Sequence, residues 1–103
     1  MKLLTLIVHT DVQRDLIKLL RGMDKIYGYT LNHVEGHGEE EEVDKFLSAR
    51  DKVVGYAPRI RVDVLLEDND IDSVLTTLSD KQHNVAGQGA YWVTSVEKGG
   101  HLL

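Results

Sequence analysis

Apolar and polar positions recur with two different periods along this chain, and the switches between them mark out its elements. From Leu3 to His9 the residues alternate as Leu3, Thr5, Ile7 and His9 against Leu4, Leu6 and Val8, with apolar groups on both faces. That is the pattern of a central strand covered on both sides. Val12, Leu16, Leu19, Leu20 and Met23 then recur at helical spacing, with Thr10 as N-cap, Gln13 as its capping-box partner and Gly22 at the fraying end. Tyr27 to Gly36 alternates again: Tyr29, Leu31 and His33 point one way, Thr30, Asn32 and Val34 the other.

No strand period survives from His37 to about Ala57. Loops beyond roughly 12–15 residues are uncommon in compact domains unless they are functional or disordered. Val43, Phe46 and Leu47 fall at i, i+3, i+4, which predicts one amphipathic turn, acidic before it and carrying Lys45 and Arg50 toward its end. An isolated turn is marginal in water, so the stretch of about 37–57 is expected to be mobile until something binds it.

Order resumes at Pro58. Ile60, Val62, Val64 and Leu66 share one face of a third strand, opposite Arg61, Asp63 and Leu65. Asp68 or Asn69 caps a second helix with the stripe Ile71, Val74, Leu75 and Leu78. A turn-rich link, 82–89, leads to a last strand, Ala90 to Val96, with Trp92 and Val96 opposite Tyr91 and Val93. The order β-α-β-β-α-β predicts a single domain over residues 1–103, an α+β ferredoxin-like sandwich. Its antiparallel sheet carries two helices on one face. The helix-covered face is expected to take Leu4, Leu6, Val8, Ile60, Val62, Val64, Leu66 and Trp92. The open face takes Ile7, Tyr91 and Val93 beside Thr5, Asn32, Arg61 and Asp63. An open face that apolar favours burial against another subunit.

Composition narrows the function. The formal net charge is −5, whereas a general nucleic-acid binder is normally basic. Glu39 to Glu42 concentrate the acid. There is no cysteine, which removes disulfides and thiolate chemistry and fits a reducing, cytoplasmic setting. No apolar run is long enough to span a membrane. Neither Gly-x-Ser-x-Gly nor His-Glu-x-x-His occurs, and Ser48 and Ser95 have no evident histidine partner, so no enzymatic activity is expected.

Three segments, Val34 to Gly38, Pro58 to Val74 and Gly87 to Val93, together resemble the PII signalling family, in matching order and spacing over nearly the whole chain. Val34-Glu35-Gly36-His37-Gly38 is similar to the glycine-x-glycine that opens that family's T-loop. The run from Pro58 to Val74 looks like its third strand and second helix. Gly87-Gln88-Gly89-Ala90-Tyr91-Trp92-Val93 resembles its B-loop and fourth strand. The chain departs from the family where Ala90 replaces the B-loop lysine, where Lys98 is the only cation after the last strand, and where Tyr56 is too near the loop's end to match the modified tyrosine. It is similar to a short acidic branch linked to heavy-metal efflux.

The resemblance implies a homotrimer that senses a small effector between subunits and controls a partner, such as a membrane transporter, through its long loop. The implied cleft residues are Gly36, His37, Gly38, Gly87, Gln88, Gly89, Ala90 and Lys98, with ADP, AMP or ATP as effector. Glycine loops let backbone N–H groups approach phosphate. Val43, Phe46, Leu47 and Arg50 would meet the partner. The rival is a divalent-metal-binding trimer of the same fold. His33, Glu35 and His37 share a strand face, with neighbours about 6.7 Å apart and the outer pair about 13 Å apart. Such a site must borrow a ligand elsewhere, from His83, His101 or the glutamate run. Imidazole and carboxylate suit zinc, nickel or copper(II).

Overall fold

The computed structural model describes residues 1–37 and 56–103. The four strands are β1 (Lys2–His9), β2 (Thr30–Gly36), β3 (Ala57–Leu66) and β4 (Gly89–Ser95). They form one antiparallel sheet in the order β2-β3-β1-β4. Helix α1 (Gln13–Arg21) joins β1 to β2, and α2 (Ile71–Leu78) joins β3 to β4. This is the expected ferredoxin-like sandwich.

The core lies between the sheet and the helices. Leu4, Leu6 and Val8 stand beside Val64, Val62 and Ile60 on one sheet face, and all six pack in one buried cluster with Leu16, Leu20, Val74 and Leu78. Each such side chain contributes about 1.5–3 kcal/mol on burial, whereas a helix cap is worth about 1 kcal/mol. Packing therefore decides where the helices begin, and both caps differ from the sequence expectation. Thr10 does not cap α1: the chain leaves β1 through a 3-10 turn, Thr10–Val12, and buried His9 accepts from Asp11 N–H. Neither Asp68 nor Asn69 caps α2: they begin a 3-10 turn, Asp68–Asp70, preceded by Glu67 with no side-chain cap bond. There Asp68 instead meets the N-terminal amine at 2.5 Å.

The last strand corrects the face assignment. Thr5 lies opposite Trp92, Leu4 opposite Val93 and Leu6 opposite Tyr91. Trp92 is therefore on the helix-free face, and Tyr91 and Val93 are on the helix side, the reverse of the expectation. Three consecutive large groups carry no alternation to read; the turn before them sets the register. His9 N–H donates to Gln88 O at 3.1 Å, which places Gly89 against Val8.

On the helix-free face Trp92, Thr5, Asp63 and Thr30 form a cross-sheet row. Thr5 is fully buried there, its hydroxyl donating to Asp63 Oδ1 at 2.7 Å, while Arg61 Nε donates to Asp63 Oδ2 at 3.1 Å. Burial pushes the Asp63 carboxyl up, but the Thr5 hydroxyl and the Arg61 guanidinium outweigh it and hold it below the ordinary value.

Candidate functional site

Every strand has one terminus at the same end of the sheet: β1 and β2 finish there, and β3 and β4 begin there. The pairings Val8 with Gly89, His9 with Arg59 and Gly36 with Ala57 mark that end. It holds most of the described residues implicated by sequence.

Gly87, Gln88 and Gly89 form the turn into β4. Gly87 has φ +78°, a left-handed conformation that favours glycine. At Gly89 a Cβ would lie 2.8 Å from Val8 Cα, so no side chain fits. Gln88 N–H donates to Val85 O at 3.1 Å. Ala90 pairs with Ile7 and presents no cation.

On the opposite edge Gly36 closes β2. A Cβ there would lie 2.6 Å from Arg59 Cγ, so the Arg59 stem runs across this glycine and brings a guanidinium to the base of the long segment. Next to it His37 Nε2 and Glu35 Oε2 are 3.3 Å apart, and the His37 and Tyr56 rings are 6.1 Å apart between centroids. His33 and Glu35 share a face of β2, opposite Ile60 and Pro58. Among the described residues no three His, Cys, Asp or Glu side chains gather closely enough to hold a metal ion. His33 is thus not drawn into the Glu35–His37 pair.

Within one chain the two glycine segments stand on opposite sheet edges, three strand spacings apart, or about 14 Å. Lys98 is at the other end of the molecule: β4 finishes with Ser95 opposite Lys2, and Val96 N–H donates to Met1 O at 3.1 Å. Gly38, Val43, Phe46, Leu47 and Arg50 lie outside the described residues.

Three residues here escaped the sequence reading. Arg59 is placed by the Gly36–Ala57 pairing, which the Pro58-Arg59 restart signalled only weakly. His9 is buried beside the B-loop-like turn, and its Nδ1 is 3.3 Å from Asp11 Oδ2 as well as bonded to Asp11 N–H. A histidine ending a strand just before Thr-Asp was the available signal. Tyr56, too near the loop's end to match the family's modified tyrosine, meets His37 instead.

The two edges differ. All seven residues of β4 are exposed, none is charged, and Tyr91 and Trp92 are 57% and 45% exposed. Natural sheet edges are usually blunted by charge, proline or bulges; β4 has no charge or proline. Edge strand β2 carries His33 and Glu35.

A family model described as "Protein of unknown function (DUF3240)" matches residues 1–103. The nitrogen regulatory protein GlnK of Escherichia coli K12 is 24% identical over 99 residues, covering 95% of this chain and 88% of GlnK. Nitrogen regulatory protein P-II 2 of Methanothermobacter thermautotrophicus is 23% identical over 73 residues, covering 70% of this chain and 64% of that protein. The crystal structure of a DUF3240 family protein from Shewanella baltica OS155 superposes with a TM-score of 0.75 at 21% identity. The match covers 99% of this chain and 96% of that one. That likeness supports the fold, and the sequence matches add a distant relation to PII regulators.

Proposed function

From a chain that belongs to the DUF3240 family and is distantly related to nitrogen regulatory proteins, we propose a PII-like regulatory protein that works by contact, without catalysis. In this reading three copies assemble, a small anionic effector sits in the crevices between them, and the segment between β2 and β3 carries the signal to a partner such as a membrane transporter.

One observation carries the reading. Gly36-His37 and the turn at Gly87–Gly89 lie at the same end of the sheet but on opposite edges. They can line one crevice only where the β2 edge of one copy approaches the β4 edge of the next. Such a heterologous contact makes a ring when its rotation closes, and a one-third turn per copy would close it at three. The uncharged, aromatic β4 edge supports it, because exposed edge groups favour pairing with another chain. Among the described residues no helix is long and apolar enough to cross a membrane, so a membrane partner would be met by docking.

The cation for an anionic effector would come from Arg59 beside Gly36, since residue 90 is alanine. Native mass spectrometry with ADP, ATP or AMP tests both parts. The expected result is a trimer binding up to one nucleotide per subunit, weakened about tenfold or more by Arg59→Ala. A monomer that binds no nucleotide would overturn the reading.

The Glu35–His37 approach at 3.3 Å favours a second reading, in which the same crevice takes a divalent transition metal. Two donors from one edge strand would then be completed by a neighbouring copy. Equilibrium dialysis with zinc, nickel and copper(II) discriminates. No binding tighter than tens of micromolar would remove the metal reading.

A further inference from the structure

A second concavity lies on the helix side of the sheet and shares Gly87, Gly89 and Ala90 with the crevice just described. It is a cleft of about 300 Å³ between α2 and β4, on the helix side of the sheet. Its floor is Leu6 and Val8, its walls Leu75, Leu78 and Val85, and Tyr91 closes its edge. The sequence explains why it is open. Gly89 pairs with Val8 beside the cleft and carries no side chain, since a Cβ there would meet the β1 backbone. Ala86 gives only a methyl group beside it. A gap is left between Tyr91 and Val85 that the core does not fill.

The lining is apolar apart from one rim, where Ser79 and Lys81 stand. Among the described residues Lys81 is the only charged side chain lining the cleft. Among the described residues it makes no ion pair. The adjacent Asp80 carboxylate is turned to the Gln82 N–H, which it accepts at 2.9 Å. Small-molecule sites have this make-up: a mostly apolar concavity from about 300 Å³ upward with a few placed polar groups. A single cation at the mouth of an apolar slot selects a ligand with an apolar body and one anionic end.

We propose that this cleft binds a short acyl carboxylate, with its chain against Leu75, Leu78 and Val85 and its head on Lys81. The cleft shares Gly87, Gly89 and Ala90 with the crevice between copies, while Lys81, Leu75, Leu78 and Val85 belong to the cleft. Arg59→Ala reports on nucleotide binding and Lys81→Glu on acyl binding, so failure of one is distinguishable from failure of the other.

The test is calorimetric titration of the full chain with octanoate, octan-1-ol and octylamine, which share a chain and differ in head group. Octanoate should bind about tenfold or more tighter than octylamine, as one charge-assisted contact implies. Lys81→Glu should reverse that order. Ala86→Leu and Leu75→Trp should each weaken all three ligands by filling the slot; circular dichroism identifies a variant that fails to fold, leaving Lys81→Glu to decide. The trimer's mass should be unchanged throughout. Equal affinity for the three heads, indifference to Lys81→Glu, or no binding by the unmodified chain would overturn the proposal. So would octanoate binding that appears only after Leu102→Ser and Leu103→Ser, since that outcome assigns the cleft to the apolar tail of the chain itself.

Discussion

The two edge strands, β2 and β4, are the same length and each has one terminus at the same end of the sheet, yet they are built differently. β4 reads Gly-Ala-Tyr-Trp-Val-Thr-Ser and carries no charge; β2 reads Thr-Leu-Asn-His-Val-Glu-Gly and carries a histidine and a glutamate. Their glycines differ too. Gly89 is bare because backbone atoms of β1 occupy the space, whereas Gly36 is bare under the flexible stem of Arg59. One edge is adapted to being covered and the other to presenting polar groups beside the long segment. An edge with no charge and three adjacent apolar side chains lacks the usual protection against pairing. In the proposed ring, unlike edges meet, so the difference is what assembly requires.

The largest expected effect comes from making the two glycines alike. Gly89→Val forces a branched side chain into the β1 backbone and should cost about 3 kcal/mol. Gly36→Ala should cost less, about 1–2 kcal/mol, since its Cβ displaces the Arg59 side chain and otherwise meets only Ala57 O, at 3.1 Å. Urea unfolding of both variants measures the gap. Equal losses would mean that the edges are not distinguished in this way.

Next comes the charge difference itself. Trp92→Lys places a cation on the β4 edge and should leave a folded subunit that no longer assembles at micromolar concentration. His33→Lys, on an edge that already carries polar groups, should assemble with at most about a tenfold loss of affinity. Sedimentation velocity with circular dichroism reads both. A Trp92→Lys protein that remains trimeric would show that β4 is not the covered edge.

Legibility followed packing. The strand-helix order and the apolar stripe of each helix were readable because burial enforces periods of two and 3.6 on a sequence. Leu4, Leu6 and Val8 and their β3 partners were assigned correctly for that reason. Trp92 was not: Tyr91-Trp92-Val93 fits either face, and what fixes it is a hydrogen bond from His9 N–H to Gln88 O, made by backbone atoms that carry no sequence pattern. The helix caps failed similarly, because Thr10 and Asp68 are good caps by composition and the chain spends both in 3-10 turns. At the candidate site the glycines were visible as motifs. Arg59 was not, since its role depends on which residue β2 lays beneath it.

The two edges also bear on the polar row between them. Asp63 on β3 binds Thr5 and Arg61 under Trp92's side of the sheet. Asp63→Ala leaves the buried Thr5 hydroxyl without its acceptor and should cost about 1–3 kcal/mol. Asp63→Asn keeps an acceptor and should cost less. The carboxyl titrates lower in the folded chain than its ordinary value of 3.8, so its contribution is complete above that value. It is lost as pH falls through the lowered folded value. Acid unfolding of Asp63→Asn should therefore lack this increment of pH dependence below the ordinary value. An unchanged acid limb would show that the carboxylate adds nothing to folding.

The smallest expected effect is on the β2 side. Glu35 and His37 are 63% and 66% exposed in their side chains, and a pair so wetted is worth about 0–1 kcal/mol. Glu35→Gln and His37→Gln should leave stability within about 0.5 kcal/mol of the parent, while Gly89→Val on the other edge does not. That indifference is what a binding edge should show: residues kept for a ligand need not hold the fold. Binding then separates the readings left open by the 3.3 Å approach of these two side chains. Zinc binding lost in both variants, with nucleotide binding intact, would identify β2 as a metal edge. Nucleotide binding lost only with Arg59→Ala would leave Glu35 and His37 as polar neighbours of the anion site.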